Sequence, residues 1–117
     1  MDVIKIANME LQVVRHNVNS LILTIIGRLD AQTVDQLKGI WGNDESVHSI
    51  VLNLAQTVFI DSLGLATLVN GLKTMRAREG SFILAAPSDA VLTIFELTAM
   101  DKAFNITQSV ESAVALL

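Results

Sequence analysis

Residues 49–75 read SIVLNLAQTVFIDSLGLATLVNGLKTM, and this stretch decides the fold class. Its first part, residues 49–54, is an apolar, β-branched run typical of a strand that is buried on both faces. After position 62, apolar side chains recur at helical spacing as a single stripe: Leu65, Leu68, Val69, Leu72 and Met75. The stretch therefore predicts a buried strand, a short crossing segment over 55–60, and a long helix that runs to about Glu79.

The chain before this stretch predicts a hairpin and a helix. Residues 10–15 roughly alternate polar and apolar side chains, as an edge strand does, and residues 21–26 form a continuous apolar run. The polar turn at 16–20 allows the two to pair as an antiparallel hairpin. Asp30 then suits the N-cap of a helix that carries Leu37 and Trp41, because its carboxylate can accept a free backbone N–H.

The chain after this stretch continues the alternation of strands and helices. Residues 81–86 form another buried run, a third helix opens at 87–89, a short strand lies within 101–107, and Ser109 caps a final helix. We therefore predict an α/β fold in a single domain spanning 1–117. It has a mostly parallel mixed sheet of about five strands with an antiparallel edge strand, and about four helices.

Composition excludes several classes of function. The 117 residues are 51% apolar, carry a net charge of −4 and show no basic patch, so we expect no nucleic-acid partner. The absence of cysteine excludes disulfides, thiolate catalysis and cysteine-ligated zinc. The N-terminus lacks the layout of a signal peptide, and no apolar run reaches the roughly 18 residues of a membrane helix. We expect a cytoplasmic protein without direct membrane insertion.

Motifs for catalysis are missing from the sequence. His16 and His48 lie in or beside polar turns, with no acidic or hydroxyl partner at motif spacing. No nucleophile elbow, phosphate-binding glycine-rich loop, dinucleotide fingerprint or metal-ligand spacing occurs. We therefore expect no catalytic residue, no metal and no cofactor. A small hydrolase that uses Ser62 remains an alternative, and it requires a base that folding would bring to the serine.

The junction at Asp61 and Ser62 is the most informative site for function. A helix N-terminus favours negative charge, so a phosphate on Ser62 would be tolerated by its own helix. It would add about −1.5 to −2 charges beside Asp61 and expel a partner with an acidic or apolar surface. Either Ser62 or Asp61 should cap the long helix, and the alternative is that Ser62 serves only as that N-cap, worth roughly 1 kcal/mol.

Small side chains form a second stripe on the long helix. Gly64, Thr67, Gly71 and Thr74 recur at helical spacing beside the apolar stripe. Small residues let another backbone approach closely, which suits a docking surface that begins at Ser62. The same stripe also suits packing under a neighbouring helix of the same domain, and both interpretations remain open.

Two motifs in the sequence resemble the STAS domain, the family shared by anti-sigma-factor antagonists and sulfate transporters. The first is the Gly-x-Leu-Asp pattern at 27–30. The second is FIDSLGL at 59–65, about thirty residues later, at the start of a helix. The resemblance covers about residues 10–117.

The resemblance implies a switch in partner binding. Ser62 matches the serine that is phosphorylated by an anti-sigma factor, a serine kinase that uses ATP. The unphosphorylated antagonist binds that kinase and frees the sigma factor, and a metal-dependent serine phosphatase restores the phosphorylated form. The expected partner-binding residues are Asp30, Asn53, Asp61, Ser62, Leu63, Gly64, Thr67 and Gly71. Among these, Asp61 shapes the site, Gly64 lets the partner come close, and Asn53 matches the strand end before the loop.

Leu63 is the one departure from the family pattern. The position after the serine is often Ser or Thr in the family, and leucine makes this loop more apolar. An apolar residue here also suits a permanent interface. The alternative function is therefore a constitutive STAS interaction subunit of a lipid or anion transport system, or a signalling scaffold.

Overall fold

A computed structural model describes all 117 residues and contains one mixed sheet of seven strands. The strands are β1 (Asp2–Ile6), β2 (Met9–Asn17), β3 (Ser20–Leu29), β4 (Ser49–Asn53), β5 (Thr57–Ile60), β6 (Ser81–Ala85) and β7 (Asn105–Thr107). Their order across the sheet is β1-β2-β3-β4-β6-β7, and β5 pairs with β3. The pairs β1–β2 and β2–β3 are antiparallel, and all other pairs are parallel.

The four helices divide between the two faces of the sheet. They are α1 (Val34–Gly42), α2 (Ser62–Ala77), α3 (Asp89–Leu97) and α4 (Val110–Val114). The first three supply buried residues to the main core, which includes Leu37, Leu68 and Phe95. Helix α4 covers the opposite face through Ala113, which packs in a smaller cluster with Val51. The predicted α/β class and the number of helices are confirmed.

The sheet has two strands more than the five that the sequence predicted. Strand β1 extends the hairpin at its outer edge, so the alternating segment in β2 is not the edge strand. Strand β5 lies within the predicted crossing segment and is only four residues long. A pattern of four residues is too short to separate a strand from an extended connection.

Asp30 does not cap α1, contrary to the prediction. The helix begins at Val34, its N-cap is Thr33, and no side chain caps it. The Asp30 carboxylate instead accepts the Gln32 N–H at 3.0 Å, within a turn that precedes the helix. The sequence correctly indicated that the Asp30 carboxylate accepts a nearby backbone N–H. That N–H belongs to the turn before α1 and not to the helix itself.

The stripe of small residues on α2 packs inside the domain. Gly71 is buried, and a Cβ atom there would lie 2.5 Å from the Phe82 ring and 3.0 Å from Trp41. Trp41 comes from α1 and donates its indole N–H to Asn70 Oδ1 at 2.9 Å. Of the two interpretations of the stripe, the structure supports packing against a neighbouring helix over this part of α2.

Gly71→Ala should destabilise the protein. The added methyl group meets two aromatic rings that are fixed by their own packing, and such overpacking costs about 1–3 kcal/mol. Gly42→Ala is the matched control, because a Cβ atom at Gly42 meets nothing within 4 Å. Urea unfolding of both variants checks this, and equal free energies of unfolding would contradict the described packing of α1 on α2.

Candidate functional site

The site forms where β5 meets α2. Strand β5 pairs with β3 in the stretch that β4 does not reach, with Ile60 beside Leu29. The next residue, Asp61, donates its N–H to the Leu29 carbonyl at 3.2 Å. The start of α2 is thereby held at the end of β3, next to the loop that leads into α1.

The Asp61 carboxylate makes two backbone contacts that define the loop. Its Oδ1 accepts the Gly64 N–H at 2.8 Å, which caps α2, and its Oδ2 accepts the Ala31 N–H at 3.1 Å. Ala31 lies in the loop between β3 and α1. One side chain therefore caps a helix and joins two segments that are thirty residues apart in the chain.

Because Asp61 is the cap, the Ser62 hydroxyl has no structural task. Ser62 is the first residue of α2, is exposed, and makes no side-chain hydrogen bond within the chain. The first helical hydrogen bond runs from the Leu65 N–H to the Asp61 carbonyl. The alternative in which Ser62 serves only as the N-cap is therefore wrong.

The predicted partner-binding residues do not all lie on one surface. Asp61, Ser62 and Leu63 lie together, and the Asp30 side chain lines the same depression as Asp61. Asn53 ends β4 beside Thr24 of β3, whereas Ile60 lies beside Leu29, five residues further along. That spacing separates Asn53 from the junction by about 17 Å. Its side chain accepts the Ala55 N–H and shapes the turn after β4.

Gly64 and Gly71 face the interior, and Thr67 is buried at the edge of a groove between α1 and α2. A Cβ atom at Gly64 would lie 2.5 Å from the Leu29 carbonyl oxygen and 2.7 Å from Ile60, so close packing within the domain requires this glycine. Thr67 is 7% exposed and donates its hydroxyl to the Leu63 carbonyl. The described surface around Ser62 is therefore formed by other side chains.

Arg28 and Phe59 form a surface feature, although neither is among the predicted partner-binding residues. They are register partners on β3 and β5, and the guanidinium carbon lies 4.4 Å from the centre of the ring. Arg28 Nε also lies 3.4 Å from Asp30 Oδ2. These three side chains, with Asp61, line an open depression of about 570 Å³. Arg28 belongs to the Gly-x-Leu-Asp motif and Phe59 to the FIDSLGL motif, but only the register of β5 on β3 brings the two side chains together.

A second depression lies on the other side of the junction, between α1 and α2. Its volume is about 340 Å³, and Leu63 lines it with Val34 of α1. The Leu63 side chain is 51% exposed. Ser62 follows Asp61, which lines the first depression, and precedes Leu63, which lines the second.

Neither histidine can act on Ser62. His48 donates its backbone N–H to Asn19 at the hairpin turn between β2 and β3, and His16 lies at the same end of β2. Ser62 follows the end of β3 at Leu29, nine residues beyond Ser20, which is roughly 25–30 Å along the strand. The hydrolase alternative therefore has no histidine within reach of Ser62.

The chain contains neither a metal-binding cluster nor a membrane-spanning helix. No group of three or more His, Cys, Asp or Glu side chains is arranged to hold a metal ion. None of the helices is both long and apolar enough to span a bilayer.

The family follows from the sequence profile of the STAS domain, which matches residues 9–113. The chain belongs to the STAS domain family. The profile covers both motifs and all the strands from β2 onward.

Known proteins resemble the chain, in sequence or in fold, over most of its length. The anti-sigma-B factor antagonist of Listeria monocytogenes is 25% identical over 101 residues, which cover 85% of this chain and 89% of that protein. The anti-sigma factor antagonist SpoIIAA in its unphosphorylated form superposes with a TM-score of 0.78 at 21% identity, covering 89% and 92% of the two chains. SpoIIAA of Bacillus in its phosphorylated form gives 0.72 at 20% identity, covering 90% and 96%. A sulfate transporter family protein from Wolinella succinogenes gives 0.74 at 21% identity, covering 90% and 88%.

Asp61→Ala should destabilise the protein, whereas Ser62→Ala should not. The first change removes a helix cap and a link to the α1 loop, which together are worth about 2 kcal/mol. The second removes a hydroxyl without hydrogen bonds, so its effect should stay within about 0.5 kcal/mol. Chemical denaturation checks both values, and a larger loss for Ser62→Ala would contradict the assignment of the cap.

Proposed function

We propose that this chain is an anti-sigma-factor antagonist whose binding is switched at Ser62. Unphosphorylated, it binds an anti-sigma factor that is a serine kinase using ATP, and the sigma factor is released. Phosphorylation of Ser62 ends the complex, and a metal-dependent serine phosphatase restores the binding form. The proposal implies a cytoplasmic binding protein without catalytic residues or cofactor.

The observation that carries the proposal is the free Ser62 hydroxyl. A kinase substrate needs a hydroxyl that is accessible and that the fold does not require. The Asp61 side chain supplies the cap of α2, which leaves Ser62 exposed and without hydrogen bonds. The name of the Listeria relative and the family membership support the broader part of the proposal, an anti-sigma-factor antagonist.

The phosphate has different consequences for the chain and for its partner. On its own chain it sits at the first position of a 16-residue helix, where the helix dipole favours negative charge. For a docked partner it adds about −1.5 to −2 charges beside the Asp61 carboxylate. A surface that fits the neutral serine would have to desolvate this dianion, so binding is lost while the fold is kept.

The docking surface in this proposal consists of the exposed part of the junction. It comprises Asp30, Asp61, Ser62 and Leu63, together with the platform of Arg28 on Phe59. Asn53, Gly64, Thr67 and Gly71 act indirectly, because they shape the strand end and the packing beneath that surface.

Ser62→Asp should abolish capture of the anti-sigma factor while leaving the fold intact. The experiment uses wild type and Ser62→Asp as paired baits in lysate of the native host, with bound proteins identified by mass spectrometry. Ser112→Asp is the matched control, because Ser112 is also an exposed serine in the first turn of a helix, on the other face of the sheet.

The outcomes separate the candidate functions. Capture of an ATP-binding serine kinase by wild type and Ser112→Asp, but not by Ser62→Asp, supports the switch. Equal capture of a transporter component by all three baits would contradict it and favour a constitutive interaction subunit. The exposed Leu63 is the observation that favours the constitutive interaction subunit as a second candidate function, because an apolar surface residue suits a permanent interface.

A further inference from the structure

Thr33 is a buried polar residue in the loop between β3 and α1, and it is not among the predicted partner-binding residues. Its side chain is only 1% exposed, although the two residues before it are exposed. Its hydroxyl accepts the Asp30 N–H at 3.0 Å and donates to the Arg28 carbonyl at 3.0 Å. A hydroxyl has one proton to donate, so Thr33 uses it on the end of β3 and accepts from the loop that follows.

The two backbone groups that Thr33 binds belong to residues whose side chains form part of the docking surface. The Arg28 guanidinium lies 4.4 Å from the centre of the Phe59 ring, and its Nε lies 3.4 Å from Asp30 Oδ2. Both side chains line the same open depression. The direction in which they leave the backbone therefore depends on the course of the chain that the Thr33 hydroxyl fixes.

The same loop supplies the contact that joins it to α2. The Ala31 N–H donates to Asp61 Oδ2 at 3.1 Å. Ala31 lies inside a turn in which the Thr33 N–H donates to the Asp30 carbonyl at 2.9 Å. The Ala31 methyl group forms no hydrogen bond, so the turn alone aims the Ala31 N–H at the carboxylate, and the Thr33 hydroxyl helps to hold that turn.

We infer that Thr33 is a positioning residue for the docking surface around Ser62. This inference rests on the proposed function and adds to it a buried residue that sets the geometry of the surface. Thr33 is too buried to contact a partner, so it acts through Arg28, Asp30 and the Ala31 N–H. Without the hydroxyl, the Asp30 N–H loses its acceptor and the loop moves to satisfy that donor elsewhere. Binding then has to order the loop again, which costs affinity.

Thr33→Val tests this role, because valine has nearly the same shape and lacks the hydroxyl. Titration calorimetry against the purified anti-sigma factor kinase of the same host, at a temperature at which every variant is folded, should give a Kd about tenfold weaker than that of wild type. Thr33→Ser keeps the hydroxyl and should bind within about twofold of wild type. Rescue by serine would assign the effect to the hydroxyl and not to the filling of space.

Thr107→Val is the matched control. Thr107 also donates its hydroxyl to a backbone carbonyl, that of Ser109 at 2.8 Å, just before α4 on the other face of the sheet. Its loss should lower the free energy of unfolding and leave the Kd within about twofold of wild type, because the two sites share no partners.

Amide hydrogen exchange gives a second readout that a general loss of stability would not produce. In Thr33→Val, the Ala31 amide should exchange about tenfold faster than in wild type, because the loop opens locally. The Gly64 amide should exchange at the wild-type rate, since Asp61 Oδ1 still caps α2. Global destabilisation alone would not separate these two amides.

The possible failures are distinguishable. If Thr33→Val binds within twofold of wild type while Ser62→Asp does not bind, the positioning role is overturned and the proposed function stands. An unchanged exchange rate at Ala31, or an equal loss of affinity in Thr107→Val, would also overturn the positioning role. If wild type binds none of the anti-sigma factor kinases of its host, the proposed function and the inference that rests on it are both overturned.

Discussion

The Asp61 carboxylate accepts two backbone N–H groups, and the surface around Ser62 depends on this arrangement. One contact caps α2 at Gly64, and the other holds the loop before α1 at Ala31. The start of α2 and the loop before α1 are therefore joined by a single side chain. Because the cap comes from Asp61, the neighbouring serine is neither buried nor hydrogen-bonded, and its chemistry can change without changing the fold.

The junction separates residues that keep the fold from residues that are free to bind. Gly64 and Gly71 are glycines because a backbone carbonyl and an aromatic ring lie where a Cβ atom would be. Ser62, Leu63 and Phe59 have exposed side chains in the same short segment. In the proposed switch, a phosphate on the exposed Ser62 would add charge that a docked partner has to desolvate, while the dipole of α2 would stabilise that charge on the chain itself.

The sequence predicted long, strongly patterned elements well and short or register-dependent features poorly. The apolar run of β4 and the stripe of α2 identified the central strand–helix unit. Strand β5 was missed because four residues carry too little pattern, and with it the pairing that stacks Arg28 on Phe59. The asparagine at the end of β4 was placed in the site by resemblance, whereas the sheet register sets it well away from Ser62. The small residues of α2 face inward because Trp41 and Phe82 pack against Gly71. These two residues are distant from Gly71 in the sequence, so no local pattern could predict the contact.

The most direct test compares the chain with and without phosphoserine encoded at position 62. Both forms would be unfolded by heat and titrated against the purified anti-sigma factor kinase of the host. The account predicts unfolding midpoints that agree within a few °C, together with a loss of affinity of about a hundredfold or more. Equal affinity of the two forms would contradict the switch. Unfolding of the phosphorylated form would contradict the claim that Asp61 frees Ser62 from any role in the fold.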